Sequence, residues 1–436
     1  MDKKALSLPI LISLVIGSML GTGIYILPAS LAQFGSISLL AWIYTSLGAI
    51  FLALTLANLT RRFPKTGGPY VYCKQAFGPL VGFLVAYTYW LSNVVSIAGL
   101  AVASVGYLGF ILPTLNSNSP EYNAITVLAV ELGITWLFTG INLIGIHTAG
   151  VVQLILTILK IAPLVFIALI GFGSIHLDNL MAFNVTNTSD FTAVSSAAAL
   201  TFWAFIGLES ATVPAENTKG YSDIFKATVY GTIATSIIYI ISTFVLMGMI
   251  PIDKLQHSQF PFADAATQLL GPSGAILITL CAVLSGLGSL NVCVLVQGQI
   301  VFAAARDHLF PKRFAKLSKH DVPVAGQILS GILVSLFLVL TINPSLLKQF
   351  NNIALLAALL TLLTYLVTAL AELKFIFKEK KAIPKKFISK AFFIAIIASA
   401  YCMWMISSFT LGFMLAVIGV FAVAIPIYVF VIKKQL

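Results

Sequence analysis

Charge is what this sequence has least of. Asp, Glu, Lys and Arg make up 9% of its 436 residues, against about 25% in an average soluble protein. So little charge cannot cover the surface of a water-soluble chain of this length, which excludes a soluble globular enzyme, and a disordered chain needs still more. Cysteine is sparse as well. Cys73, Cys281, Cys293 and Cys402 show no CxxC spacing, which argues against a zinc site, a redox pair and a disulfide scaffold. Also missing are the GxxxxGK(S/T) phosphate loop of an ATP-driven pump, the HExxH of a membrane hydrolase and a TVGYG-like channel filter. No enzyme is expected, and no cofactor or metal is called for.

What is present is apolar surface: 59% of the residues are hydrophobic and the mean hydropathy is +1.02. A helix crosses the hydrocarbon in about 20 residues. Runs of that kind cover 7–31, 36–60, 78–111, 122–144, 148–173, 192–214, 225–251, 273–305, 323–342, 350–374, 391–411 and 413–432. The third and eighth are long enough to imply tilt or an extension into solvent. None alternates as a membrane β-strand does, and the first lacks the cleavage site of a signal peptide. The expected fold is an all-α membrane protein of about twelve transmembrane helices, with no soluble domain.

The basic residues set the orientation. With both termini cytoplasmic, 22 of the 25 Lys and Arg fall on the inner side, two (Lys254 and Lys348) outside and one (Lys160) within a span. That bias accounts for the net charge of +11 without a nucleic-acid partner. The Lys374–Lys390 cluster also suits anionic lipid. Asn184-Val185-Thr186 and Asn187-Thr188-Ser189 match the glycosylation pattern, which in a bacterium carries little meaning.

Two spans are interrupted. Gly17-Ser18-Met19-Leu20-Gly21-Thr22-Gly23 places three glycines in seven residues of span 1, and Glu209 interrupts Ala204-Phe205-Ile206-Gly207-Leu208-Glu209-Ser210 in span 6. Non-helical backbone at that depth must be buried in protein or line a cavity. Matched interruptions in the first spans of two five-helix halves point to a substrate site between inverted repeats, spanning 7–173 and 192–374, with 391–432 as two additional helices. The alternative is that these glycines only allow close helix packing. Exposed N–H groups at a half-helix start suit a carboxylate and exposed carbonyls suit an ammonium. Together they suit the zwitterionic end of an amino acid.

Three ionisable residues lie inside spans. Lys160 is too far from either end of span 5 to snorkel, so it needs a partner or a cavity. Burial disfavours its charge, which would let it exchange a proton during a transport cycle. Glu209 reads equally well as a proton carrier and as a brace between helices. Glu131 in span 4 has no role in this reading. The five histidines fall in loops or at span ends and read as solvated.

The sequences Gly17–Gly23 followed by Ile24, Thr66-Gly67-Gly68-Pro69-Tyr70-Val71-Tyr72 (read as a loop), Trp203–Ser210 and Ala304-Ala305-Arg306-Asp307-His308-Leu309-Phe310-Pro311 resemble the amino acid–polyamine–organocation transporters. The branch they resemble most is that of the arginine/agmatine and putrescine/ornithine exchangers. The resemblance implies a five-plus-five inverted repeat and alternating access around a central site. By motif, Thr22 and Gly23 backbone would hold the substrate carboxylate, and carbonyls of Met19, Trp203 and Ile206 its amine. Trp203, Tyr89 and Tyr365 would act in gating, with Glu209 beside them. At the side-chain end this chain departs from the arginine exchangers, having Ile97 and Leu100 on span 3, Cys293 on span 8 and Ala357 on span 10. These substitutions remove a stacking surface and polar partners for a guanidinium. Lys160 instead resembles the span 5 lysine of proton-coupled relatives. The segment Glu216–Gly220 is also altered.

The function expected is secondary transport of an amino acid or related amine across the bacterial inner membrane, with proton coupling through Lys160 and Glu209. Substrate exchange is the alternative within the class, and a channel or transporter-like nutrient sensor lies outside it. The partners expected are the small-molecule substrate and membrane lipid, with homodimer formation left open.

Overall fold

Inside a bilayer every backbone N–H and C=O must bond within the protein, and the regular elements of this chain are accordingly helices. A computed structural model describes residues 7–65, 67–144, 149–213, 218, 221–319, 322–343, 345–378 and 385–432. In chain order they form α1 (Leu8–Met19), α2 (Gly23–Ala32), α3 (Ser38–Arg62), α4 (Pro69–Phe77), α5 (Pro79–Leu108), α6 (Ala124–Ile144), α7 (Ala149–Gly171) and α8 (Asp190–Trp203). There follow α9 (Tyr221–Met249), α10 (Ile252–Leu255), α11 (Pro261–Arg306), α12 (Val324–Thr341), α13 (Leu346–Lys378), α14 (Lys385–Ser407) and α15 (Leu411–Ile427).

Among the described residues, α3, α5, α6, α9 and α11 to α15 are each long and apolar enough to cross a membrane, and α1 with α2 forms a further span bent by 44°. The other two sequence runs are α7, of 23 residues, and α8, which stops after 14. Past Trp203 the chain continues in tight turns rather than α-helix. Ile206 N–H bonds Trp203 O, Ser210 N–H bonds Gly207 O and Thr212 N–H bonds Glu209 O, with Gly207 at φ 103°.

Burial separates centre from rim. The most apolar stretch of α5 is 89% buried, that of α15 only 11%. α5 packs along both α11 and α13, α1 lies against α7 and α9, and α14 covers α3 and α13. The rim presents Leu137, Leu340, Leu415 and Phe430 outward, as lipid demands.

Two details add to the sequence reading, and the first corrects it. Of the Thr66–Tyr72 stretch, read as a loop, Thr66 lies outside the described residues and 67–72 form a turn that enters a helix. Gly67 and Gly68 take φ of 130° and 66°, and Pro69 then occupies the first position of α4, where its missing N–H costs nothing. The start of the eighth run at 273 also has a physical origin. Gly271 (φ 74°, ψ −173°) and Pro272 bend α11, so the long span starts at the bend. Of the Glu216–Gly220 segment only Thr218 lies among the described residues, and His147 and His320 lie outside them. His176, His257 and His308 are exposed.

Candidate functional site

The first break begins where α1 runs out. Leu20 is extended (φ −78°, ψ 95°), and the last carbonyls of α1 lose their intrahelical partners. In an apolar surrounding each would be costly, on the order of a few kcal/mol, and other helices supply the donors. Lys160 Nζ of α7, fully buried, donates to Gly17 O at 2.9 Å and to Ser289 Oγ of α11 at 2.8 Å. The Ser289 hydroxyl lies 3.1 Å from Gly17 O and 2.8 Å from Leu20 O. Tyr239 of α9 sets its hydroxyl between Met19 O (2.8 Å) and Ala204 O (3.0 Å), one carbonyl from each break. On the far side of the break, Thr22 Oγ1 sits 3.0 Å from Ser104 Oγ of α5 and bonds Ala282 O of α11 at 3.2 Å. Tyr25 donates to Lys160 O at 3.1 Å and Tyr107 to Tyr25 O at 2.7 Å, which ties the start of α2 to α7 and α5.

The second break carries its own charge. Both oxygens of the buried Glu209 accept phenols from the central helices: Tyr89 of α5 bonds Oε1 at 2.6 Å and Tyr365 of α13 bonds Oε2. The two breaks touch. Gly207 faces Ser18, whose Cβ would stand 2.8 Å from a Cβ on Gly207. Its positive φ and this approach both require glycine.

Trp203, the last residue of α8, covers the start of α2. Its ring lies where a Cβ on Gly23 would stand, so Gly23 is required for the indole to seat. Phe350 of α13 meets the ring edge-on at 5.1 Å, and Gly99 and Ile353 close its flank. The indole Nε1 is buried with no hydrogen-bond partner among the described residues.

The structure thus gathers Met19, Thr22, Gly23, Trp203, Glu209, Tyr89, Tyr365 and Lys160 around the two breaks. Met19 O already accepts Tyr239, and Trp203 O accepts Ile206 N–H at 3.1 Å, each keeping a second lone pair. Leu100 lies against Gly21. Cys293 is half-buried on α11. Ile97 and Ala357 are fully buried on α5 and α13, and Ile206 is half-buried. Glu131 lies on α6 and makes no hydrogen bond to these residues.

Sequence reasoning missed Tyr239, Ser289 and Phe350. Their signal was faint, a hydroxyl or a ring at mid-depth in a run otherwise apolar. It also missed Glu372, which is fully buried at the basic end of α13 and pairs with Arg62 at 3.5 Å. Lys74 and Asp307 pair on the same face at 3.4 Å.

A sequence model of the amino acid permease family matches residues 6–435. Among curated proteins, the putrescine transporter PotE of Haemophilus influenzae is 31% identical over 89% of this chain and 88% of its own length. PotE of Escherichia coli is 32% identical over 90% of this chain and 88% of its own length. The cadaverine/lysine antiporter of Escherichia coli is 31% identical over 83% of this chain and 81% of its own length.

Proposed function

The chain belongs to the amino acid permease family, and from that premise we propose that it carries an α-amino acid with a neutral side chain, driven by a proton. The observation that bears most weight is the meeting of the two breaks under Trp203. There the start of α2, whose Gly23 and Ile24 N–H groups have no partner among the described residues and which carries a positive dipole end, lies beside carbonyls of α1 and of the Trp203–Ile206 turn. A carboxylate fits the first and an ammonium the second. The unpartnered Trp203 N–H offers one further donor. In this reading Ile97, Leu100, Ile353, Phe350, Cys293 and Ala357, all on the helices beside the breaks, would wall the side-chain end. The nearest carboxylate, Glu209, already accepts two phenols. A second ammonium or a guanidinium would have to displace them.

Lys160 is the coupling residue in this reading. Charged, it holds Gly17 O and Ser289 and so fixes α1 to α7 and α11. Losing its proton weakens both bonds, since charge-assisted hydrogen bonds are roughly twice as strong as neutral ones. α1 is then free to shift between states. Alternating access follows if 7–173 and 192–374 are inverted repeats that rock about the breaks, within a twelve-span fold whose termini are cytoplasmic in the bacterial inner membrane. The names of the relatives favour a second reading, in which the same site exchanges one amino acid or amine for another.

The test is uptake into proteoliposomes of labelled neutral amino acids, arginine, ornithine and putrescine, with and without an imposed pH gradient. A neutral amino acid accumulated when the outside is acidified is the expected result. Robust counterflow of putrescine or arginine would overturn the neutral side chain, and accumulation indifferent to the gradient would overturn the proton.

A further inference from the structure

α6 is amphipathic in a sense unusual for a membrane helix. Its buried residues are Val127, Glu131, Thr135, Thr139 and Asn142, a spacing that defines one helical face. Ile125, Leu137, Ile141 and Ile144 point away from the protein. A polar stripe therefore turns inward, and most of it is satisfied. Thr135 and Thr139 donate to the carbonyls of Glu131 and Thr135 at 2.9 and 2.8 Å. Asn142 donates to Asn291 of α11 at 2.7 Å. Trp136, at the edge, donates to Ser335 of α12 at 3.0 Å. Glu131 is the exception. It is 1% exposed, and its Oε1 is buried with no hydrogen-bond partner among the described residues.

Among the described residues no cation is paired with it. α12 carries no titratable residue. α5 carries Tyr87, Tyr89 and Tyr107, and α11 carries Asp264, Cys281 and Cys293, with Arg306 only at its last position. Tyr122, in the loop before α6, is an acid rather than a cation, and burial holds its phenol above the usual range. Thr139 faces Gly331 and Trp136 faces Ser335, so α6 and α12 run in opposite directions. Glu131 lies on the same face two turns before Thr139, toward the end of α12 that carries the fully buried Leu338.

We propose that Glu131 is a proton-binding site in its own right, set between α6 and α12 and separate from the Lys160–Glu209 centre. An ionised carboxylate buried without a partner costs several kcal/mol, while the neutral acid avoids that penalty, so in this packing the carboxyl keeps its proton. Releasing it requires water, which requires α6 to part from α12. Occupancy of the site and closure of the α6–α12 interface are therefore linked, each favouring the other. The route to solvent is short. Glu131 stands seven residues from the start of α6, about 10 Å along the helix axis, at the end away from the basic face.

Two measurements on the full-length protein in lipid test this without any substrate, so their outcome is independent of the transport reading. In infrared spectra at neutral pH, the wild type should show a protonated-carboxyl C=O band that Glu131→Gln removes. Thermal unfolding supplies the second readout. A proton held by the folded state stabilises at low pH and is lost as pH rises, so the wild type should lose melting temperature on alkalinisation and Glu131→Gln should not share that loss. If Glu131→Gln does not fold, Glu131→Asp should move the band in frequency and shift the pH at which stability falls. Spectra or pH profiles of the folded variant that superimpose on the wild type overturn the proposal.

Discussion

The two helix breaks touch at Ser18 and Gly207, yet they are held by opposite chemistry. The first has no charge of its own. Its exposed carbonyls are held by the lysine amine of α7 and by hydroxyls from α9 and α11. The second contains a carboxylate, and what holds it is a pair of phenols from α5 and α13. In both cases the unwound segment supplies the polarity and a continuous helix supplies the counter-polarity. Tyr239 joins the pair by reaching one carbonyl in each. A transporter needs such an arrangement. In the proposed cycle the unwound segments would move against groups on neighbouring helices, so a proton gained or lost at one contact would free the segment without unfolding a helix.

That contrast predicts unequal mutational effects. Replacing Lys160 by Ala should be the most damaging, because two bonds to a charged group go at once. At about 1.5–3 kcal/mol each, gradient-driven uptake should fall by about a hundredfold or more, one decade per 1.4 kcal/mol. Undiminished accumulation in the variant would show the first break needs no cation. Gly23→Ala comes next. The new methyl occupies the place of the Trp203 ring, and overpacking of about 1–3 kcal/mol should appear as weakened substrate binding in isothermal titration, with the helical circular-dichroism signal retained. At the second break, Tyr365→Phe and Tyr89→Phe each remove one hydrogen bond to a carboxylate. Each should slow counterflow about tenfold on the same scale. If both variants are neutral, Glu209 does not depend on its phenols and the proposed symmetry between the breaks fails. Ser289→Ala should be the mildest, about 1 kcal/mol, because Lys160 still reaches Gly17 O. It should appear as a melting-temperature shift of a few degrees.

Much of the fold was legible in the sequence. Span positions agree within a few residues for most runs, since the length needed to cross hydrocarbon is fixed by helix rise alone. The glycines of the first break and Glu209 of the second announced themselves because they violate that apolar pattern. α4 was hidden, being short and only moderately apolar, so no span-length criterion finds it. The partners of Lys160 were hidden for a different reason. Ser289 lies 129 positions away in the chain, and nothing local distinguishes it from the buried serines and threonines that merely bond back to their own helix, as Thr232 and Ser236 do.

The sequence by itself determined that the chain is a bundle of membrane helices, which end carries the basic residues, which two spans break and which ionisable residues lie at depth. All of these follow from the cost of exposing charge or unpaired backbone to hydrocarbon, a cost each residue bears wherever the others lie. Only the tertiary structure decided which charges are paired. Lys160 and Glu209 looked alike with Glu131 along the chain, yet two are surrounded by partners from distant helices and the third keeps an oxygen with no partner among the described residues. Pairing depends on distances of about 3 Å between segments far apart in sequence, and these are set when the helices pack.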